Sequence, residues 1–467
     1  MNETLVAHYR CPESLVKFGP VGELSSELGY FLFDGSVCFG RSSLGFPAKR
    51  VESGLPDLSQ HAVSDDSTLR LPFDPSEIVD NLRRERYCSN GYPDNRPMLS
   101  GEAVRRIYYW IRPLLAVSVR KHFQKLALRN WQGLPFPAWP VDRTVEHIHE
   151  SLLLLSAKAQ KVENIPFIWF WPQAASSCAI VTHDVETKEG ISLIPRVMDT
   201  DEAFGVKASF QLIPQKQYTV GAELLDTIET RGFEVGIQDL THDGNLFDNR
   251  DEFLSRARRI NRYLQEYRSQ GFRAGRMYRN VDWYEALEAS YDMSIPNVAH
   301  LDPQRGGCCT VFPYFIGRIV ELPLTTTQDY SLFHVLGDYS IELWKRQIAL
   351  IMEKHGLVSF IVHPDYIGGE KALRVYKALL NYVSRLRDES DVWVALPREV
   401  NRWWRERSQM RLVREGRRWC IEGRGRERAR IAYASVEGEQ LAYTLPSAGY
   451  GQKVFLAPPP AQVPSFA

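Results

Sequence analysis

The chain has 467 residues, of which 44% are hydrophobic and 24% are charged, and its 57 basic residues equal its 57 acidic residues. These proportions are ordinary for a globular protein, and about 150 residues per domain gives an expectation of two to three domains. A balanced charge provides no overall field that favours nucleic acid or a membrane surface. The seven cysteines include no CxxC pair, which indicates reduced thiols rather than a disulfide framework or a zinc ribbon.

Neither the first residues nor the longest uncharged stretch has the pattern of a targeting or spanning segment. Residues 1–13 contain Glu3 and no apolar run, unlike a secretory signal. The stretch 164–182 contains Pro166 and Pro172, whereas a spanning helix is more uniformly apolar. We therefore predict a cytoplasmic protein without a membrane span and without a nucleic-acid partner; the sequence leaves its oligomeric state open.

Residues 1–165 form a region of their own, partly helical, to which no motif assigns a role. Residues 30–39 alternate like two strands around Asp34-Gly35, and Asp74-Pro75-Ser76 is a helix start with proline in the first turn. Asp142 can cap a helix that follows it. The predicted helices cover 77–86, 102–111, 117–128 and 143–159.

From residue 177 onward, short apolar runs alternate with segments of helix length. The predicted strands are 178–183, 207–213, 233–237, 272–276, 319–324, 357–363 and 392–396. The predicted helices are 191–203, 222–231, 250–269, 282–290, 341–354 and 372–387. This alternation is typical of parallel βα units, and seven strands favour a distorted (β/α) barrel over 175–405. Function in such barrels sits at the carboxyl ends of the strands.

After residue 405 the pattern becomes short and β-like, with strands predicted at 411–413, 418–421, 430–433 and 441–445. These indicate a small β-rich domain over 410–457, followed by a disordered tail over 458–467. Residues 401–430 hold eleven arginines against four glutamates. A solvated surface is favoured there over a site for an anionic glycan or nucleic acid. Trp169 and Trp171 are expected to pack beneath the barrel rather than to stack on sugars.

Three strand ends carry groups that suit hydrolytic chemistry. Asp184 and Glu186 alternate at the end of the first barrel strand, so their carboxylates share one side, where a metal ion and its bound water could be held. Gln238 and His242 are four residues apart after the third strand. His363 closes the apolar run of the sixth strand, where a histidine bonded only to backbone is the structural alternative.

Taken together and in order, these motifs resemble those of the polysaccharide deacetylases, also called the NodB-homology family or carbohydrate esterase family four. The resemblance covers about half the chain and is closest to the branch with Asp-x-Asp and His-Pro-Asp motifs. The matching segments are Asp184-Val185-Glu186, the pair Gln238 and His242, Phe272-Arg273-Ala274, Tyr291-Asp292-Met293-Ser294 and His363-Pro364-Asp365.

The resemblance implies metal-assisted hydrolysis of an N-acetyl group on a saccharide. Asp184 would be the general base, Arg273 would orient it, and His363 would be the general acid that protonates the leaving amine. The other implied positions are Glu186, Gln238 and His242 as ligands of a divalent cation such as zinc, cobalt or manganese, and Tyr291, Asp292 and Ser294 along the substrate groove.

Three departures from the family pattern bear on activity. Gln238 replaces the first histidine ligand, Glu186 replaces an aspartate, and Arg273-Ala274-Gly275 lacks the usual proline. Since an amide oxygen binds zinc-like metals less well than imidazole does, weak or absent metal is predicted. Two alternatives therefore stand beside the deacetylase: a catalytically impaired domain that binds glycans or partners, and a hydrolase of a non-sugar amide.

Overall fold

The computed structural model describes residues 1–43, 45, 48–51, 54–65, 67–88, 131–446 and 452–455. The helices predicted at 102–111 and 117–128 and the tail 458–467 lie outside these residues. The elements that precede the barrel are α1 (Glu3–Tyr9), β1 (Phe18–Pro20), β2 (Gly29–Phe33), β3 (Ser36–Gly40), β4 (Val63–Asp65), β5 (Thr68–Leu71), α2 (Pro75–Arg83), α3 (Thr144–Gln160) and β6 (Asn164–Ile168).

Local sequence signals explain several of these early elements. β2 and β3 form an antiparallel pair whose turn residues Asp34 and Gly35 both have positive φ, as a two-residue hairpin requires. α2 begins two residues earlier than predicted because the Asp74 carboxylate caps the Ser76 amide at 2.9 Å and Pro75 occupies the first turn. Asp142 accepts from the Thr144 amide at 2.9 Å and so opens α3, as expected.

The second half of the chain forms a curled sheet wrapped by helices, which confirms the predicted distorted (β/α) barrel. Its sheet has nine strands in the order β12-β13-β11-β10-β9-β8-β7-β14, with β15 also paired to β7. All pairs are parallel except β12 with β13. The elements are β7 (Ser177–Val185), α4 (Lys188–Ala203), β8 (Ser209–Leu212), α5 (Ala222–Thr230), β9 (Glu234–Gln238), α6 (Arg250–Glu266), β10 (Gly271–Arg273), β11 (Tyr291–Asp292), β12 (Tyr314–Ile316), β13 (Ile319–Glu321), α7 (Glu342–Met352), β14 (Leu357–Val362), α8 (Glu370–Ser390), β15 (Val392–Val394) and α9 (Pro397–Gln409).

The register of β7 against β14 places two site residues side by side. All nine residues of β7 are buried, as expected of a strand covered on both faces. The pairing runs from Cys178 opposite Leu357 to His183 opposite Val362. Asp184 and His363 are the next residues along these two neighbouring strands, so they lie side by side at the carboxyl edge of the sheet.

The helix predicted over 282–290 is wrong. A 3-10 helix covers Val281–Ala286, and the chain is extended at Leu287. Side chains from other elements take the backbone groups that an α-helix would use internally. Asn261 donates to the Ala286 carbonyl at 3.0 Å and accepts from the Glu288 amide at 2.8 Å, and Arg318 donates to the Leu287 carbonyl at 2.8 Å. The strands β11 and β12 were not predicted.

Threonine side chains close the gap between β13 and β14, which no backbone ladder joins in the part of the chain described. The Thr325 hydroxyl donates to the Leu357 carbonyl at 2.7 Å and accepts from the Ser359 amide at 2.9 Å. The Thr326 hydroxyl donates to the Ser359 carbonyl at 2.7 Å. Segment 324–326 thus runs beside β14 in the place of a further strand.

The C-terminal strands are tied to the segment that leads into the barrel. They are β16 (Arg411–Glu415), β17 (Arg418–Glu422), β18 (Ile431–Glu437), β19 (Gln440–Leu445) and β20 (Gln452–Phe455). The sheet order β20-β19-β18-β6 joins them to β6. The buried Arg407 of α9 donates to the Ile168 carbonyl at 2.6 Å and the His8 carbonyl at 2.8 Å. The predicted boundaries near 165 and 405 stay predictions, and these contacts cross both of them.

The aromatic segment before the barrel lies in the core. Trp169 and Trp171 are 1% and 0% exposed, and their indole N–H groups donate to the Ala175 and His355 carbonyls. The arginines of 401–430 are not a uniform surface, because Arg407 is buried while Arg411 pairs with Glu422 at 2.8 Å on an exposed hairpin. Among the helices of the described ranges, none is long and apolar enough to cross a membrane.

Candidate active site

Three groups from two neighbouring strands meet at the carboxyl edge of the barrel. Asp184 lies near the end of β7, Glu186 follows that strand, and His363 follows β14. One ligand-type atom of each lies within 4.8 Å of the others. Gln238 and Arg273 end β9 and β10, and the side chains of both donate to the Asp184 carboxylate. The structure thus brings together the residues for which the sequence predicted acid, base and metal-binding roles.

Asp184 is held by two buried donors. Its Oδ1 accepts from Nη1 of Arg273 at 2.5 Å, and its Oδ2 accepts from Nε2 of Gln238 at 3.1 Å. Arg273 is fully buried and is itself fixed, because it also donates to the Thr182 hydroxyl at 2.8 Å and to the Met293 carbonyl at 3.1 Å. A charge-assisted contact of this kind fixes the direction of a carboxylate.

Glu186 lies between the two histidines of the site. Its Oε1 is 2.9 Å from Nε2 of His242 and 3.6 Å from Nε2 of His363. Burial opposes ionisation of Glu186, but the two histidines outweigh it and hold the pKa of Glu186 well below its usual value. His242 has a φ of 54°, a left-handed conformation that turns the loop after β9 back toward the site.

His363 has a second carboxylate partner that the sequence did not suggest. Nδ1 of His363 is 2.6 Å from Oδ1 of Asp329, and the His363 amide donates to Oδ2 at 2.8 Å. Burial lowers the pKa of His363, but Asp329 and Glu186 reverse this and raise it well above the usual value. Asp329 begins the helical segment 329–336, which no motif marks, and its place five residues after the predicted strand 319–324 was the only signal.

The amide of Gln238 faces both carboxylates with its nitrogen. Nε2 donates to Oδ2 of Asp184 and to Oε1 of Glu186, at 3.1 Å each. Its Oε1 is buried and has no hydrogen-bond partner among the described residues. A rotation of the Gln238 amide group by half a turn would exchange the positions of Nε2 and Oε1. The oxygen would then face the carboxylates. The metal-ligand role predicted for Gln238 requires that second orientation.

The donor set can hold a divalent cation. Two carboxylates and one imidazole suit a cation that tolerates oxygen ligands. The group that lies within 4.8 Å is Asp184, Glu186 and His363, which shares only Glu186 with the ligands implied by the resemblance. His242 contacts Glu186 from one side of this group, and its pKa is raised because Glu186 outweighs the effect of burial.

The three residues implied to contact substrate lie elsewhere. Tyr291, Asp292 and Ser294 are all 0% exposed. The Tyr291 hydroxyl donates to the Glu234 carboxylate inside the barrel. Ser294 donates to Asp292 at 2.6 Å and accepts from the amide of Ala274 at 2.8 Å. These contacts support the chain around Arg273, and this placement gives the substrate-binding role no support.

Comparisons with solved structures cover about half of this chain. No protein-family model matches it, and no curated protein matches it. A putative polysaccharide deacetylase from Mycobacterium smegmatis is 19% identical over 51% of this chain and 93% of its own, with a TM-score of 0.42. PuuE allantoinase is 13% identical over 50% and 92%, with a TM-score of 0.41. A probable polysaccharide deacetylase from Pseudomonas aeruginosa PAO1 is 14% identical over 49% and 91%, with a TM-score of 0.40. Structures similar to the barrel thus include members of the polysaccharide deacetylase family, which the motifs also resemble.

Proposed function

We propose that the protein is a hydrolase that removes an N-acetyl group from a saccharide or a glycan precursor. The observation that carries this proposal is that a carboxylate and an imidazole, each oriented by a buried charged side chain, meet at one strand edge. Asp184 is held by a buried arginine and His363 by a buried carboxylate, and their ligand-type atoms lie within 4.8 Å. Such a pair can take up a proton and deliver one in a single site.

The two groups divide the proton transfers between them. Asp184 takes a proton from the water that attacks the acetyl carbonyl, while Arg273 keeps its carboxylate aimed at that water. Nε2 of His363 donates a proton to the amine nitrogen as the C–N bond breaks. Asp329 holds the ring through its other nitrogen, Nδ1. The products are acetate and the free amino sugar.

A divalent cation would be held in this site by Glu186 and His242, with the Gln238 oxygen as a third ligand after the amide turns. The buried and unpartnered Oε1 of Gln238 supports that fit. A bound cation of this class polarises a carbonyl and lowers the pKa of a water molecule. Affinity is expected to be low, since only one imidazole serves as a ligand.

A second candidate is a catalytically impaired domain that binds glycans or partners. The observation that favours it is the orientation of Gln238, whose N–H groups contact both Asp184 and Glu186 at 3.1 Å. A donor in this place occupies lone pairs that a cation would need. In that case the barrel would keep its shape and its surface while the chemistry is lost.

The substitution Gln238→His tests the two candidates against each other. We expect binding of manganese, cobalt or zinc to strengthen by about tenfold or more, or at least 1.4 kcal/mol, because an imidazole replaces an amide. Metal binding is measured by titration calorimetry and metal content by mass spectrometry. Deacetylation is measured on a panel of N-acetyl sugars by the release of acetate.

The control is Gln238→His combined with Asp184→Asn, which should bind metal and stay inactive because the base is gone. If Gln238→His binds metal no better than the parent, Gln238 is not at a ligand position. If it binds metal and hydrolyses no sugar on the panel, the impaired domain is the better account.

A further inference from the structure

The loop after β8, residues 213–221 and here called the β8 loop, lies between two segments that carry site residues. In the sheet β8 separates β7 from β9, and the three parallel strands end at the same edge. Glu186 follows β7 by one residue, and His242 follows β9 by four residues. The β8 loop therefore leaves the sheet between the segments that bring these two side chains together.

Tyr218 ties the β8 loop to the segment that carries Glu186. Its hydroxyl donates to the Val185 carbonyl and accepts from the Ile213 amide at 2.8 Å. Val185 is the last residue of β7 and directly precedes Glu186. Because the two contacts fix the position of the hydroxyl, the Tyr218 side chain links the backbone that enters Glu186 to the start of the β8 loop.

Two glutamines tie the β8 loop to the segment that carries His242. Nε2 of Gln217 donates to the Thr241 carbonyl at 3.0 Å, and the Gln215 amide donates to the Leu240 carbonyl at 3.0 Å. Thr241 directly precedes His242. On this side too, the β8 loop holds the residue that comes before a site residue.

A tight turn brings the two sets of contacts together. The Gln217 amide donates to the Gln215 carbonyl at 3.0 Å across the exposed Lys216, whose φ is 75°. A three-residue turn with a positive φ at its centre is rare, because the conformation is unfavourable for a residue with a Cβ. Such a conformation persists where surrounding contacts determine it, and here these are the bonds to the segments after β7 and β9.

We propose that Tyr218 and Gln217 are positioning residues that hold Glu186 against His242. Oε1 of Glu186 is 2.9 Å from Nε2 of His242, although β8 separates their two strands in the sheet. Their contact therefore depends on the loop that bonds to both segments. The inference rests on the proposed function for its catalytic consequence, because Glu186 and His242 are the ligands expected to hold the cation.

The test is a double-mutant cycle that measures the coupling between Glu186 and His242 in the full-length protein with a chelator present. Free energies of unfolding at one fixed pH are compared for the parent, Glu186→Gln, His242→Gln and the variant with both changes. The same cycle is repeated in the Tyr218→Phe background, which lacks the hydroxyl that bonds to Val185. The coupling should fall to about half of the parent value or less, because the Glu186 segment can then move away from the imidazole.

Two further variants check the result. Gln217→Met removes the amide that bonds to Thr241; it should lower the coupling as well, and it decides the test if Tyr218→Phe does not fold. Tyr376→Phe is the matched control, because the Tyr376 hydroxyl likewise bonds beside β7, to Asp201 at 2.5 Å. It should lower the free energy of unfolding and leave the coupling unchanged. Where acetate release is measurable, Tyr218→Phe should lower kcat about tenfold and leave KM unchanged.

The outcomes separate this inference from the proposed function. A coupling that falls in Tyr218→Phe and in Gln217→Met but not in Tyr376→Phe supports the positioning role, even if the parent releases no acetate. A coupling that is equal in the parent and in Tyr218→Phe overturns the role and leaves the proposed function intact. An equal fall in Tyr376→Phe overturns it as well, because general loosening of the barrel then explains the loss. Absence of coupling in a folded parent does the same, since the protein would then have no contact between Glu186 and His242 to hold.

Discussion

Two groups of histidines in this molecule behave in opposite ways. The site histidines are the half-buried His242 and the buried His363, and their pKa values are raised because Glu186 and Asp329 outweigh the effect of burial. The seam histidines, His8 and His149, lie where α1 and α3 meet, and their pKa values are well below the usual value. Burial is the largest cause there, and Arg83 adds to it in both cases.

The difference shows that burial lowers the pKa of all four histidines, and that a carboxylate in contact with the ring reverses this effect at His242 and His363. The rings of His8 and His149 stack with centroids 4.4 Å apart, and His149 bonds to the neutral Thr4 hydroxyl at 2.8 Å. A neutral imidazole is an apolar packing surface with one donor and one acceptor. A charged imidazole beside a carboxylate is a proton donor, which the proposed chemistry needs.

The strongest way to break the comparison is to remove the carboxylate of Asp329. In Asp329→Asn, the pKa of His363 should fall, because burial is then opposed only by Glu186. The turnover of any N-acetyl substrate should fall about 100-fold or more, as for the loss of a general acid. The pKa is measured by NMR titration of the His363 ring, and turnover by acetate release.

Asp338→Asn is the control, since Asp338 follows the π-helix Ser331–Leu336 and, among the described residues, its carboxylate accepts from the Ser340 amide. This variant should leave the pKa of His363 and the turnover unchanged. An unchanged His363 titration in Asp329→Asn would show that Asp329 does not set the charge of that ring.

Lowering the pH tests the seam histidines, His8 and His149, through the stability of the protein. The folded-state pKa values of His8 and His149 are lowered, so their contribution to stability is full above the unfolded value of about 6.5 and is lost as the pH falls. Each buried histidine costs up to about 1.4 kcal/mol per pH unit below that point. Denaturant unfolding between pH 7.5 and 5.5 measures the slope of the free energy of unfolding.

His149→Gln should reduce the slope of the free energy of unfolding against pH by the contribution of one histidine. Glutamine is chosen because its amide can still pair with Thr4. His61→Gln, at an exposed position, is the control and should leave the slope unchanged. A slope that is equal in the parent and in His149→Gln would mean that this ring is not held neutral by the fold.

The smallest effect is expected from Thr4→Val, which removes the hydroxyl that bonds to His149 while keeping the shape of the side chain. A neutral hydrogen bond contributes about 0.5–1.5 kcal/mol to the free energy of unfolding. The loss should be of that size at pH 7.5, with no change in the titration of His363. A loss several times larger would mean that the seam is held together by this contact rather than by apolar packing.

The barrel could be predicted because its signal is repeated. Each predicted barrel strand is present, because runs of buried residues mark parallel strands. The strands β8, β10, β13 and β15 are each two or three residues shorter than predicted. β11 could not be predicted in the same way, since two residues carry no periodicity. The 282–290 segment looked helical by pattern and was overridden by Asn261 and Arg318, which lie in other elements.

The site was predictable where a motif marks the end of a strand, as at Asp184, Glu186 and His363. It was not predictable where no motif marks the residue, as with Asp329, since nothing in the local sequence says which strand end its segment will reach. The direction of the Gln238 amide is a third case. It depends on two carboxylates 52 and 54 residues away in the chain.

The threonines that lie along β14 also bear on strand addition at this side of the sheet. A strand with one unpaired side is a template on which a second chain can add by backbone pairing, and this is a common route to aggregation. The hydroxyls of Thr325 and Thr326 occupy the carbonyls of Leu357 and Ser359, which such a chain would need. Because side chains rather than a strand do this, the open side of the barrel is sealed without presenting a new edge.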